Sequence, residues 1–122
     1  MVMGDTSADP VTWDRTIWRG TDHEWTVRKK TDAGAVIIPT EARAQVRQVF
    51  GGTVYVECGI SIDPVEGWVS ISIPEAATIG PEWDNRTTAV WDLECVYSGK
   101  KHRWVMGSVM ISQDATREEV TA

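Results

Sequence analysis

The chain is poor in several things, and each shortage narrows what it does. It holds one Phe, two Tyr, two His and two Cys in 122 residues, and 12 basic side chains against 18 acidic ones. A net charge of −6 argues against a nucleic-acid partner, because neutralising phosphates needs clustered Lys and Arg that outweigh the local carboxylates. No apolar run approaches the roughly 20 residues of a membrane-spanning helix. The opening stretch, Met1 to Pro10, has neither the basic nor the apolar region of a secretion signal. No membrane partner and no classical secretion route are therefore expected. The sequence also lacks a Gly-x-Ser-x-Gly elbow, a Walker-type loop and a dinucleotide fingerprint; Gly51-Gly52 and Gly99 are ordinary turn glycines.

Tryptophan is abundant by contrast, with seven residues at positions 13, 18, 25, 68, 83, 91 and 104. Each supplies a large apolar body with one N–H to satisfy, which suits both a sandwich core and an interface anchor. Around them run short period-2 segments broken by Gly, Pro, Asp and Asn, the pattern of half-buried strands. At 42% hydrophobic and 25% charged, the chain reads as one globular domain that buries about two-thirds of its unfolded surface. The expected fold class is all-β, an immunoglobulin-like antiparallel β-sandwich of about seven or eight strands, with one short helical turn near residues 74–79. Residues 1–14 read as an N-terminal arm, 15–113 as the sandwich and 114–122 as a C-terminal arm.

Individual segments support this reading. Residues 41–50 have fair helix propensity, but Ala42, Ala44 and Val46 alternate with Arg43, Gln45 and Arg47, which favours a strand. Val54, Val56, Cys58 and Ile60 form one apolar row, Val69, Ile71 and Ile73 a second, and Ala89, Trp91, Leu93, Cys95 and Tyr97 a third. Ser98-Gly99-Lys100 reads as a hairpin turn. The return strand places Trp104, Met106 and Met110 on one face and Val105, Val109 and Ile111 on the other. Such a two-faced strand is expected to be covered by the core on one side and by a partner subunit on the other.

The candidates for chemistry are few. Asp22-His23-Glu24 is the densest group of potential ligands, but consecutive residues point apart, and a solvated turn explains them better than a metal. Asp92 and Glu94 share a strand face about 7 Å apart, a carboxylate separation within glycosidase range. Beside Lys100, Lys101 and Arg103 they make cross-strand ion pairs more simply. Lys100-Lys-His-Arg103 reads as a solvated hairpin tip, and Asn85-Arg-Thr87 as an accidental glycosylation sequon. Cys58 and Cys95 read first as two buried reduced thiols, with a disulfide as the alternative. Trp68 lies between them, but Leu93 stands where an antibody-type domain has its corner tyrosine. No catalytic residue, metal or cofactor is expected, and the protein is read as not an enzyme.

The order of segments adds a resemblance. Ile17-Trp-Arg-Gly20 with Asp22 precedes Lys30-Thr-Asp-Ala-Gly34 and the alternating Ala42-Arg-Ala-Gln-Val-Arg47. Gly67-Trp-Val-Ser-Ile-Ser-Ile-Pro-Glu75, Trp91-Asp-Leu-Glu94 and Gly107-Ser-Val-Met-Ile-Ser-Gln-Asp-Ala-Thr-Arg117 follow. This layout, over about residues 15–117, resembles the small immunoglobulin-like β-sandwich virion proteins of tailed bacteriophages, including the LtfC-like tail-collar group and the amino-terminal domains of baseplate upper proteins. Pro39-Thr-Glu41 departs from the Asp-Leu step more usual in such modules. The resemblance implies a virion structural protein made in the bacterial host cytoplasm, an adaptor or decoration module on the tail, collar or head–tail connector. Its partners would be other virion proteins and copies of itself in a symmetric assembly, with no small-molecule substrate. Trp13, Trp18, Trp83 and Arg117 are the expected partner-contact residues. The alternatives are a capsid surface decoration protein and a host-surface carbohydrate-binding module in which exposed Trp side chains stack on sugars.

Overall fold

Sustained alternation becomes strand along most of the chain. The computed structural model describes residues 1–4 and 10–113. Its strands, numbered in chain order, are β1 (Val2–Met3), β2 (Val11–Thr12), β3 (Arg15–Trp18), β4 (His23–Lys30), β5 (Val36–Ile37), β6 (Glu41–Arg47), β7 (Val54–Glu57), β8 (Gly59–Ile62), β9 (Val69–Ile73), β10 (Thr88–Tyr97) and β11 (Lys100–Ser112). They form two packed sheets. One has five strands in the order β1-β4-β9-β8, with β5 also on β4; the other has six in the order β2-β11-β10-β6-β7, with β3 also on β11.

The all-β, two-sheet expectation holds, with two corrections. The sheets are mixed rather than purely antiparallel, because β1 runs parallel to β4, and β2 and β3 run parallel to β11. Among the described residues there are also more strands than expected. The additional ones, β1, β2 and β5, are two residues long, too short for a period to register in sequence.

Trp25 and Val27 of β4 and Val69, Ile71 and Ile73 of β9 supply one wall of the core. Ala44 and Val46 of β6, Trp91, Leu93 and Cys95 of β10, and Val105, Val109 and Ile111 of β11 supply the other. The row written as Val54 to Ile60 is split. The chain leaves the six-stranded sheet after Glu57 and enters the five-stranded sheet at Gly59, with the Cys58 N–H donating to the Ala44 carbonyl at the crossing.

The two-faced reading of β11 is also corrected. Leu93 pairs with Val105 and Glu94 with Arg103, so Trp104 is an extra residue in a β-bulge. The bulge reverses the inward phase, and Trp104 and Val105 both enter the core. Trp104 and Val105 thus belong to one core layer, while Met106 and Met110 stay on the outer face.

The described parts of segment 1–14 are built into the sandwich: Val2 and Met3 pair with Arg28 and Lys29, and Val11 and Thr12 with Val105 and Met106. The expected arm over 114–122 lies outside the described residues. At one end of the sandwich, the expected short helical turn appears as a 3-10 helix over Glu75–Thr78, and a second follows at Pro81–Trp83.

Candidate interaction surface

The clearest surface feature lies on the outer face of the six-stranded sheet. Inward residues of β10 and β11 alternate with Thr88, Val90, Asp92, Glu94 and Val96, and with Met106, Ser108, Met110 and Ser112, which point outward. Register sets Arg103 and Arg43 on either side of Glu94, and Gln45 beside Asp92. That half of the face is a ladder of charges. Arg103 Nε lies 3.1 Å from Asp92 Oδ2, and Arg43 Nη2 lies 2.8 Å from Glu57 Oε1, which also accepts from Gln45 Nε2 at 2.9 Å.

The other half of the face is apolar or neutral apart from Arg47 of β6, which stands beside Val90. Thr16 stands beside Met110, Trp18 beside Ser112, Thr88 beside Met110 and Val90 beside Ser108. Met110 is 65% and Trp18 48% exposed. The Trp18 backbone is held from behind. Its N–H donates to His23 Nε2 at 3.0 Å, and its carbonyl accepts from the Thr21 N–H at 3.1 Å and from the Thr21 hydroxyl.

The expected contact residues separate clearly. Trp18 stands on the surface. Trp13 is half-buried, its ring 6.1 Å from Trp91 in an edge contact and covered by the Arg15 guanidinium at 4.3 Å. Trp83 is 1% exposed, so it is corrected from contact residue to core residue. Its ring meets Tyr55 at 5.8 Å under the Arg86 guanidinium, and its carbonyl accepts from Gln113 Nε2 at 2.7 Å. The polar Glu82-Trp83-Asp84 context gave no hint of this, because the burial comes from a 3-10 turn that folds the indole back over the end of the sandwich. Arg117 lies outside the described residues. That Met110 lies one register step from Trp18 on the same face is not legible in sequence, because β3 joins β11 by parallel pairing across more than ninety positions.

Asp92, Asp22 and His23 have structural partners. Asp92 is buried against Arg103; burial raises its carboxyl pKa above the ordinary range and the Arg103 charge opposes that. Glu94 borders a small cavity of about 130 Å³ with Arg43 and Lys101. Asp22, His23 and Glu24 line an open cleft of about 330 Å³ with Ser72, Ile73 and Pro74. There Asp22 Oδ1 accepts from the Glu75 N–H at 2.7 Å, while His23 uses Nε2 on Trp18. Among the described residues no group of three or more His, Cys, Asp or Glu could hold a metal ion. Cys58 and Cys95 are separate, buried free thiols, with pKa values that burial pushes up to about 12.

Comparison of the sequence with protein-family models and with curated proteins gives no match.

Proposed function

We propose that the protein is a non-enzymatic structural module of a tailed-bacteriophage virion, an immunoglobulin-like sandwich that attaches on the tail, collar or connector through exposed side chains of its outer sheet. The observation that carries the reading is Trp18, a large aromatic held out on a strand whose backbone is fixed by His23 and Thr21, with Met110 close by and no charge among its register neighbours. An exposed indole on a backbone that is already fixed leaves only side-chain freedom to lose when a partner covers it, which suits an interface anchor.

The immunoglobulin-like part of the proposal is supported by strand order. β1-β4-β9-β8 and β11-β10-β6-β7 follow the A-B-E-D and G-F-C-C′ orders of variable-type domains. In that comparison β4 and β10 stand for strands B and F, which a disulfide joins in antibody domains. Here Trp25 and Trp91 meet instead, with ring centroids 5.0 Å apart.

A cryo-EM map of a particle suspected to contain the chain tests the proposal. Density at a fixed symmetric site, with Trp18 covered by a neighbour, is the expected result; absence of the chain from the particle overturns it. In that case Trp18 is available to stack on a sugar, and saturable quenching of its fluorescence by a glycan would favour the carbohydrate-binding reading.

A further inference from the structure

Arg15 is half-buried in the seam where the two sheets meet, between Trp13 and Trp25. It shares a strand face with the buried Ile17, so its side chain turns inward, and its guanidinium covers Trp13 at 4.3 Å and Trp25 at 5.6 Å. Arg19, Arg28, Arg43, Arg47 and Arg103 each reach a carboxylate or carbonyl oxygen. Arg15 reaches none among the described residues, and its Nε is buried without a partner. Its positive charge is felt nearby. Burial is the main cause lowering the Met1 ammonium pKa, and Arg15 adds to it. His23 is lowered chiefly by burial and further by Arg15, against the opposing effects of Thr21 and Asp22.

The backbone beside Arg15 is open as well. Arg19 donates to the Ser112 carbonyl, so in this parallel ladder the odd-numbered residues of β3 face β11 and the even-numbered ones face the free edge. The Trp18 groups on that edge are capped by His23 and Thr21. Those of Thr16 have no cap among the described residues. An extended segment alongside β3 would pair with Thr16 and bring one side chain to the mouth of the seam. A guanidinium fork on aromatic walls selects a planar carboxylate there, since the walls thin the water that would screen the pair.

We propose that the β3 edge docks an extended segment of a second polypeptide carrying a carboxylate side chain that pairs with Arg15. The proposal deepens the assembly reading by naming the partner's chemistry, and rests on that reading only for the view that the second chain is a neighbour in a particle.

The test uses the whole protein labelled with 15N and two blocked hexapeptides of alternating Thr and Val, one with a central Glu and one with Gln in its place. The expected result is that the Glu peptide shifts the Arg15 Nε–H and the Thr16 amide resonances and binds at least about fivefold more tightly than the Gln peptide, a modest electrostatic preference. Arg15→Gln should erase that preference. Arg15→Lys should keep part of it, because the charge remains without the fork. Equal binding of the two peptides to the unaltered protein overturns the proposal without depending on any variant's folding. Sodium acetate shifting both resonances as the Glu peptide does would also overturn it, leaving a simple anion site. Either failure leaves the cryo-EM test of assembly untouched, and absence of the chain from a particle leaves the peptide result untouched.

Discussion

The Trp13 carbonyl turns out of its strand ladder to accept the Trp91 indole N–H at 2.8 Å. Trp13 still donates to the Met106 carbonyl at 2.9 Å, so β2 and β3 keep one continuous register along β11. A parallel ladder would have given the Trp13 carbonyl to the Ser108 N–H. Asp14 fills that vacancy: its Oδ1 accepts from Ser108 at 2.9 Å. One edge strand thus satisfies a buried indole and remains paired. Trp91→Phe leaves the carbonyl without its donor and should cost about 1–3 kcal/mol. Asp14→Ala should cost about 1 kcal/mol and Asp14→Asn less, since Asn keeps an acceptor. Urea unfolding of the three variants checks the order, and a Trp91→Phe no less stable than the parent would show that the bond contributes nothing net.

Gly107 lies under the same crossing. A Cβ placed there would lie 2.6 Å from the Trp13 carbonyl carbon and overlap its oxygen. The obstacle is backbone, which cannot rotate aside as a side-chain tip can. Gly107→Ala should destabilise by about 2–3 kcal/mol, at the upper end of ordinary overpacking. Ser108→Ala, next door and exposed, should change stability by less than about 0.5 kcal/mol. Thermal unfolding of the pair separates local crowding from a general sensitivity of the strand.

Much of this architecture was legible because alternation reports burial directly. Ala42, Ala44 and Val46, then Val69, Ile71 and Ile73, then Ala89 to Cys95 face the core as their period requires. The misreadings arise where one residue breaks the period. Trp104 adds a residue to β11 and flips its phase, and Cys58 carries the chain between sheets while appearing to continue a row. Trp18 could be suspected from sequence because it sits at a turn; Arg15 could not. Its missing partner is a property of three-dimensional surroundings that no local pattern records.

Arg19 ties the 3-10 segment to the sandwich. Its guanidinium donates to the carbonyls of Thr78 at 3.1 Å and Gly80 at 3.0 Å and to Gln113 Oε1 at 3.0 Å, and lies 2.8 Å from Asp84 Oδ1. Removing it leaves several acceptors unpaired at once, so Arg19→Ala should cost about 2–3 kcal/mol. Asp84→Asn should cost under about 1 kcal/mol, because that pair is solvent-exposed on the acid's side. Hydrogen exchange at the Trp83 and Arg86 amides, which donate to Gly80 and Trp83, should accelerate in Arg19→Ala. Unchanged protection would mean that the segment holds itself.

The two thiols should be inert in the native protein. The thiolate is the reactive form, and pKa values near 12 leave almost none of it at neutral pH. Ellman's reagent should therefore find no thiol in the folded protein and both once denaturant is added. A fast native reaction at either site would contradict the burial of Cys58 and Cys95.

His23 gives the fold a pH dependence of defined sign. In the folded chain its pKa is lowered from the usual 6.5, by burial first, and its Nε2 must stay unprotonated to accept the Trp18 N–H. Between the lowered value and 6.5 the unfolded chain binds more protons than the folded one, so stability rises with pH across that interval. The contribution is complete above 6.5 and is lost as pH falls toward the folded value. Glu57 and Asp63, also lowered, act in a more acid range, below their ordinary 4.5 and 3.8. Asp92, raised by burial, works in the opposite direction above 3.8. Thermal midpoints should therefore decline as pH is lowered from about 7 to about 5, an interval in which histidine titrates. His23→Gln, which offers an amide oxygen to Trp18 and has no proton to bind, should flatten that decline. A His23→Gln profile as steep as the parent's would remove His23 as the source of the slope.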